Sequence, residues 1–308
     1  MSRALLATAI AATISLAPSS AAGQAFTLPQ GVGGVTLAFQ HIDNTGHRPG
    51  DGSLIPVGQS VSDGLLFELD YGITDRLAVS LGLPYVFAKY TDGPPPPFIP
   101  YLPVDTCHCW HSSLQDLSLS ARYRLGNGSF ALTPQLRYVV PTFNYQFRGE
   151  AVVGRDLREL QVGGSAAYRL ENLLPRASVQ LSYFYSFVER PIDVRNDRSN
   201  FNVSIGYALT PRLYLFGAGF WQWTHGGLEF GSPSGIPFFP PGTVNTPERL
   251  FQHDRMLKDN FFHAGGGVSY SLGQFDVFAS YAKYVSGINT HNGAAYTVGT
   301  TWYFDRLK

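Results

Sequence analysis

Apolar and polar side chains alternate along most of the chain. In segment 116–125 (DLSLSARYRL), leucine, alanine and tyrosine occupy every second position, and serine and arginine occupy most of the positions between them. Because successive side chains of a β-strand point to opposite faces, this pattern predicts a strand with one apolar and one polar face. The turn signal GNGS and a second alternating segment, 130–140, come next, so the two segments predict a β-hairpin.

The same period of two recurs in twelve segments. We place these predicted strands at residues 34–41, 64–71, 77–87, 116–125, 130–140, 157–170, 176–188, 200–208, 213–223, 260–270, 275–284 and 294–304. Strands of about ten residues have the length that a tilted crossing of a membrane's hydrocarbon layer requires. No run of about 20 apolar residues occurs in this part of the chain, so no transmembrane helix is expected there.

The connections between these strands alternate in length. Those after the second, fourth, sixth, eighth and tenth strands are short turns, whereas the others are longer: 42–63, 88–115, 141–156, 189–199, 224–259 and 285–293. Transmembrane barrels of the bacterial outer membrane combine an even number of strands with short periplasmic turns and long outer loops. We therefore predict an all-β fold, an antiparallel transmembrane β-barrel of about twelve strands in residues 26–308.

Tyrosine stands at the strand end before each of five short turns. A tyrosine ring with its polar tip is stable at a membrane–water boundary, so these residues predict an aromatic girdle on the periplasmic side. They are Tyr71, Tyr123, Tyr168, Tyr207 and Tyr270. The alternative is a soluble β-sandwich capped by tyrosines, but such a fold faces water with polar side chains, whereas here the larger face is apolar and aromatic.

The N-terminus has the features of an export signal. Arg3 is followed by the apolar run ALLATAIAATISLA and then by the small residues of PSSAAGQA, which is the order of regions in a secretory signal peptide. We assign residues 1–25 to the signal and leave two cleavage positions open, after Ala22 and after Ala25. A membrane anchor is the alternative, but the segment is short and has no stop-transfer flank.

The C-terminus and the composition agree with an outer-membrane protein. The last predicted strand ends in aromatics, and a final strand closing on phenylalanine, here Phe304, is the usual signal for the barrel-assembly machinery, although four residues follow it. Charged residues make up 14 % of the chain, the net charge is zero and no basic block occurs, so no nucleic-acid partner is expected. The expected partners are outer-membrane lipid, the assembly machinery and a small-molecule solute. No cofactor or metal is expected, and the oligomeric state stays open.

Charged residues on the face opposite the apolar one are expected to line the lumen. They are Glu68, Asp70, Arg122, Arg124, Arg137, Glu159, Arg169 and Asp276. Buried charges of both signs are stable only when paired or hydrated. Two compatible interpretations follow: arginine–carboxylate ladders that rigidify a narrow barrel, and a lining that selects solutes. Twelve strands lie between small filled barrels and wide porins, so we expect a narrow conduit, open or plugged by a loop.

The long loop before the fourth predicted strand contains the sequence TCHCWH. It holds the two cysteines of the chain, Cys107 and Cys109, together with His108 and His111. Three interpretations remain: a strained C-x-C disulfide or an intermolecular one, a loop without a ligand, and a metal site, for which four ligands within five residues are poorly spaced.

Other loops are rich in proline and aromatic residues. They contain the proline run 94–97 and the sequence GIPFFPPG at 235–242. We expect such loops either to fold inward as a constriction or to form an aromatic belt and rigid rim.

An enzyme is the competing class. Some twelve-stranded outer-membrane barrels are phospholipases with serine and histidine at the outer rim, and His111 and Ser113 stand two residues apart, on one face of an extended segment. No third residue to orient the base is evident. His263 is expected to be a hydrogen-bonding residue of the lumen, and His291 a loop residue. We therefore expect no catalytic residues.

Two hairpins resemble a family of exported proteins. The stretch YGITDRLAVSLGLPYV at 71–86 is similar to the Y-G-[IL]-T-D-[RK] stretch of the family grouped under the meta-pathway of phenol degradation, and LQDLSLSARYRL at 114–125 resembles its G-D-[LI]-x-L stretch, with Gln115 in place of the usual glycine. The resemblance implies an outer-membrane barrel that transports aromatic or other hydrophobic small molecules. We therefore expect a passive channel; a lipid-active enzyme and a structural or surface-binding barrel are the alternatives.

Overall fold

The sheet of the computed structural model closes into a barrel. The structure describes residues 25–56, 58–92, 102–171, 173–229 and 246–305. Its strands are β1 (Gly33–Arg48), β2 (Ser60–Gly72), β3 (Leu77–Tyr90), β4 (His111–Leu114), β5 (Asp116–Tyr123), β6 (Phe130–Pro141), β7 (Glu159–Arg169), β8 (Ala177–Val188), β9 (Asn196–Ala208), β10 (Leu213–Gly226), β11 (Asn260–Leu272), β12 (Phe275–Ile288) and β13 (Thr290–Phe304). Two helices, α1 (Pro103–Thr106) and α2 (Pro247–Met256), lie in the outer loops. Within the described ranges, no helix is long and apolar enough to cross a membrane.

Neighbouring strands are antiparallel, and the first strand closes the barrel. β1 pairs with β2, where Gly33 lies opposite Tyr71, and with β13, where Gly33 lies opposite Phe304. β4 and β5 are two parts of one crossing, because both pair with β3 and only Gln115 separates them. The described residues thus form twelve crossing strands in sequence order, which confirms the predicted all-β barrel.

Several strands extend beyond their predicted bounds at the outer end. β1 continues to Arg48 instead of ending at residue 41, β9 begins at Asn196 instead of 200, and β13 begins at Thr290 instead of 294. The first four residues of β9 are all buried, so no face of this extension shows the apolar–polar alternation that marks a lipid-facing strand. The loops that the sequence predicted there are correspondingly shorter.

The barrel has an apolar outside and a polar inside. Along β1 the side chains of Leu37 and Phe39 are 55 % and 42 % exposed, whereas those of Thr36 and Gln40 are 6 % and 4 % exposed. A soluble barrel has the opposite arrangement, and a continuous apolar outer surface is stable in contact with lipid. The protein is therefore an integral protein of the outer membrane, and the soluble sandwich is excluded.

The register places the five predicted girdle tyrosines at one level. Each pairs with the first residue of a neighbouring strand: Tyr71 with Gly33, Tyr123 with Leu77, Tyr168 with Phe130, Tyr207 with Ala177 and Tyr270 with Leu213. Trp302, which pairs with Phe275 at the start of β12 and is 41 % exposed, takes the corresponding position in the last strand. These six rings form one aromatic rim at the periplasmic end, the geometry that the predicted girdle requires.

Apolar clusters hold one outer loop inside the mouth of the barrel. This inner loop, residues 142–158, connects β6 and β7. One cluster packs its residues against β3, and comprises Val86, Ala88, Tyr90, Tyr145, Ala151 and Val153. A second cluster packs the C-terminal end of the inner loop against the opposite part of the mouth. It comprises Leu157, Val188, Leu228, Met256 and Leu257.

Candidate permeation path

An ion pair occupies the lumen beside β2, β3 and β5. Arg122 donates a 2.8 Å hydrogen bond to Asp70, and Ser80 donates one of 2.5 Å to the same carboxylate. The register explains these contacts, because Asp70 lies opposite Ser80 and Arg122 lies opposite Ala78 on the strand between them. Arg122 is only 7 % exposed, so its charge is stable there because the carboxylate compensates it.

Three other predicted lining residues also have partners of opposite charge. Glu68 interacts electrostatically with Arg137 on β6 as well as with the ion pair just described. Glu159, at the start of β7, accepts a 2.8 Å hydrogen bond from Arg198 on β9. Arg198 was not predicted as a lining residue, because the predicted strand began at residue 200. This arginine therefore fell in a predicted loop, where no alternation indicates the direction of a side chain.

The remaining three predicted lining residues lie at the periplasmic ends of strands. The guanidinium of Arg169 lies 4.5 Å from the centre of the Phe26 ring. Asp276 accepts a 3.1 Å hydrogen bond from the hydroxyl of Tyr303, and Arg124 directly follows β5. The eight residues therefore form ion clusters along the wall from β2 to β9 and a separate set near the periplasmic opening; their role in solute selection stays a prediction.

The segment that precedes β1 enters the lumen. Ala25 is fully buried and packs against Ala131 and Ala167. Its carbonyl accepts a 2.6 Å hydrogen bond from the hydroxyl of Thr133, and its N–H donates one of 3.2 Å to the side chain of Gln180. In a chain cleaved after Ala22, this segment narrows the lumen between β6 and β8, whereas cleavage after Ala25 would remove both hydrogen bonds. This constriction was not predicted from the sequence.

The inner loop is anchored on one side to α1. The carboxylate of Asp105 accepts hydrogen bonds from the backbone N–H groups of Glu150 (2.9 Å) and Ala151 (3.3 Å), and Gln115 donates one of 2.7 Å to the carbonyl of Val153. Burial raises the pKa of the Asp105 carboxyl to about 7, the negative charge of Glu150 adds to the rise, and the two N–H groups oppose it. The buried carboxyl of Asp105 thus ties the loop to the rim.

On the other side, charged groups anchor the inner loop to α2 and to the start of β11. Arg155 donates a 2.6 Å hydrogen bond to Asp259. Arg255 of α2 donates one of 2.9 Å to the carbonyl of Asp156, and its guanidinium lies 3.8 Å from the centre of the Phe147 ring. The inner loop, held on two sides of the barrel mouth, constricts the outer part of the lumen.

An aromatic row lines the wall formed by β10, β11 and β12 toward the outer end. The ring centres of Phe220 and Phe261 are 5.6 Å apart, those of Phe261 and His263 4.7 Å, and those of His263 and Tyr284 6.1 Å. Phe261 and His263 are 4 % and 3 % exposed, on the buried face of β11. In the strand order β11 lies across the barrel from β4 and β5, so the lumen has an aromatic wall and a charged wall.

The TCHCWH segment lies on the outer rim, next to α1. A disulfide joins Cys107 and Cys109. The ring of His108 stacks on Tyr90 with a centroid distance of 5.7 Å, and Trp110 is 49 % exposed. Because both thiols are used in the disulfide and the neighbouring imidazole packs on a ring, these residues do not form the metal site that was one of the three interpretations.

His111 and Ser113 of β4 have separate hydrogen-bond partners. Ser113 donates a 2.9 Å hydrogen bond to the carbonyl of Leu114, and the His111 ring contacts the carbonyl of Ala151 in the inner loop. Within the described residues, this arrangement does not place the imidazole as a base for the hydroxyl. His111 instead holds the inner loop against β4.

Some predicted features fall outside the described residues. They are residues 1–24 of the predicted signal peptide, the proline run 94–97 and the GIPFFPPG sequence at 235–242. The inner loop, which lies within the described residues, folds inward at the mouth of the barrel.

The chain is similar to several solved outer-membrane proteins. The COG4313 outer membrane channel from Pseudomonas putida F1 is 15 % identical, with a TM-score of 0.69, covering 92 % of this chain and 98 % of that one. The KdgM porin is 10 % identical with a TM-score of 0.46 over 87 % of this chain and 99 % of that one. A FadL homologue from Pseudomonas aeruginosa is 9 % identical with a TM-score of 0.40 over 88 % and 90 %. No protein-family model and no curated protein sequence matches the chain. The chain therefore has the fold of an outer-membrane β-barrel, similar in architecture to the Pseudomonas putida channel.

Proposed function

We propose that the protein is a passive outer-membrane channel for the uptake of small hydrophobic or aromatic compounds. The observation that carries the proposal is the division of the lumen, with ion pairs such as Asp70–Arg122 on one wall and the aromatic row of Phe220, Phe261, His263 and Tyr284 on the other. Diffusion along such a lined path needs no energy source and no cofactor.

The two walls act differently on a permeating solute. An ion loses hydration in a narrow lumen, and the charges there already compensate each other, so they offer it little in return. An aromatic ring loses little hydration and stacks on other rings at centroid distances of about 4.5–7 Å. The lumen is therefore expected to favour uncharged aromatic solutes over ions and sugars.

The constrictions restrict the size of the solute. The segment around Ala25 narrows the periplasmic end, and the inner loop narrows the outer end. A solute must pass both, which favours a small planar molecule over a folded or branched one. The resemblance of the two hairpins to the family of the meta-pathway of phenol degradation supports the same class of solute, and membership in that family stays a prediction.

Liposome swelling with the purified barrel tests the proposal. Glucose and phenyl glucoside are an informative pair, because both are too polar to cross the bilayer unaided and they differ by one aromatic ring. The proposal expects phenyl glucoside to enter faster although it is the larger molecule. Rates that fall with solute size alone, or no flux of any solute, would contradict it. Hydrolysis of liposome lipid that disappears in Ser113→Ala would support the lipid-active enzyme instead.

A further inference from the structure

Three side chains from distant parts of the chain meet at the outer end of the barrel. His47 comes from β1, His291 from β13 and Glu150 from the inner loop. Their ligating atoms all lie within 4.8 Å of one another, and His47 Nε2 lies 2.8 Å from Glu150 Oε2. We propose that these three residues bind a divalent transition-metal ion such as Zn²⁺, which ties the inner loop to the barrel wall. The site does not depend on the proposed transport function.

A β-bulge turns His47 toward the lumen. Up to Asn44 the even-numbered residues of β1 face inward, as the buried side chains of Thr36 and Gln40 show. The register then shifts between Asn44 and His47, so that His47 lies opposite His291 on β13. Because a bulge adds one residue to one strand, it reverses the facing of the residues beyond it. Without this shift, His47 would face outward with the lipid-facing residues of β1.

The three side chains of this cluster are largely shielded from bulk water. The side chains of His47 and Glu150 are 5 % and 9 % exposed, and His291 is 6 % exposed. His47 Nε2 and Glu150 Oε2 are in contact, yet within the described residues neither atom has a hydrogen-bond partner with acceptable geometry. Two buried electron-pair donors that face each other are unfavourable unless a proton or a cation lies between them. A bound cation satisfies both atoms.

The backbone leaves room at the same point. Gly58 has φ +75°, and a Cβ atom there would lie 2.0 Å from His47 Nε2 and 3.0 Å from Glu150 Oε2. Any side chain at this position would therefore occupy the space next to the two ligating atoms. Glycine at position 58 therefore keeps the space beside His47 and Glu150 open.

The donor set fits a borderline transition-metal ion. Two imidazoles and one carboxylate are a common protein ligand set for Zn²⁺ with one position left for water, and also for other first-row divalent ions. In a tetrahedral zinc site with bonds of 2.0–2.1 Å, ligand atoms lie about 3.3 Å apart. The His47–Glu150 contact is already shorter than this, so small side-chain rotations that bring His291 closer complete the site.

Metal binding would cross-link the inner loop to the barrel wall. His47 and His291 belong to the wall where β1 and β13 close the barrel, whereas Glu150 belongs to the inner loop. An ion shared by them attaches the side chain of Glu150 to the barrel wall, next to the backbone hydrogen bond from Glu150 to Asp105 of α1. The expected consequence is a loop that is cleaved more slowly by protease when the metal is bound.

Zinc titration of the untagged barrel in detergent, after treatment with a chelator, tests the proposal. We expect one ion per chain for the wild type. His291→Gln and Glu150→Gln are each expected to weaken binding by at least about 100-fold, since loss of an outer-shell partner alone costs 10–100-fold. His41→Gln is the matched control, because His41 also lies 2.7 Å from a carboxylate, that of Asp63, but outside the cluster; it should keep wild-type affinity.

Two further measurements keep the test decisive. Heat-modifiable migration in gels shows whether each variant has folded, and the visible spectrum of the Co²⁺-loaded wild type reports nitrogen and oxygen ligation without any variant. Absence of saturable Zn²⁺ binding by the wild type overturns the proposal and leaves the cluster as a buried ion pair. Unchanged affinity in His291→Gln or Glu150→Gln, or an equal loss in His41→Gln, also overturns it.

Discussion

Arg155 of the inner loop donates a 2.6 Å hydrogen bond to Asp259, whose side chain is completely buried. The same carboxylate accepts hydrogen bonds from Thr224 (2.9 Å) and Gln222 (3.0 Å) on β10. Thr224 and Gln222 belong to the barrel wall, whereas Arg155 belongs to the inner loop. The ion pair is therefore one of the contacts through which the wall holds the C-terminal half of the inner loop.

Replacement of Arg155 by glutamine should release the inner loop. The buried carboxylate of Asp259 would keep only neutral donors, and breaking a buried ion pair typically costs about 3–5 kcal/mol. We expect a lower free energy of unfolding in urea, faster trypsin cleavage at Arg148 in the loop, and a larger single-channel conductance.

The matched control for this variant is Arg190→Gln. Arg190 lies 3.6 Å from Asp197 but is 52 % exposed, so its loss is expected to change the free energy of unfolding by no more than about 1 kcal/mol. Equal effects of the two substitutions would show that burial of Asp259 does not determine how the loop is held.

Release of the segment before β1 should widen the periplasmic end. Phe26→Ala removes the ring under Arg169, and Thr133→Val removes the hydrogen bond to the carbonyl of Ala25. Together these contacts contribute about 1–3 kcal/mol, so the double variant is expected to show a higher conductance with more open-state noise in planar bilayers. Phe143→Ala is the control, because Phe143 is 58 % exposed in the inner loop. A conductance equal to the wild type in the double variant would argue against a constriction here.

The barrel was predictable from the sequence because lipid imposes a strict alternation on strands. That alternation predicts β5 and β6, and the tyrosines before the short turns predict the periplasmic rim on which the register places them. The contacts inside the mouth were not predictable in this way. His47 faces inward only because of a bulge, and Arg198 lies in a strand extension whose first residues are buried regardless of parity.

The inner loop was not predictable for a related reason. Its residues are positioned by contacts with α1, α2 and β4, which are distant in sequence, and a loop has no period from which the direction of a side chain follows. From the sequence, a metal ligand and a catalytic base were considered for His111 and neither was expected, whereas in the structure its ring contacts the carbonyl of Ala151. The local motif around His111 therefore suggested a different role from the one that its contact with the inner loop indicates.

The aromatic row should determine the preference for aromatic solutes. Phe261→Leu and Phe220→Leu keep an apolar side chain but remove the rings, so phenyl glucoside flux should fall while glucose flux stays the same or rises. Phe201→Leu is the control, because Phe201 contacts Trp221 at a centroid distance of 5.6 Å away from this row. A parallel loss of both fluxes in the Phe220 and Phe261 variants would indicate structural damage instead of altered selectivity.

The Asp70–Arg122 pair should set the ion selectivity of the residual conductance. Asp70→Asn leaves the guanidinium of Arg122 uncompensated, so the reversal potential in a KCl gradient should shift toward anion selectivity. Arg122→Gln leaves the carboxylate of Asp70 without its guanidinium partner and should shift the reversal potential toward cation selectivity. The double variant removes one charge of each sign, so the net charge at this site is that of the wild type. Its reversal potential is therefore expected to lie close to the wild-type value, a non-additive result typical of directly contacting residues. Shifts of the same sign in the two single variants would place the pair outside the path that ions follow, and the charged wall would then have only a structural role.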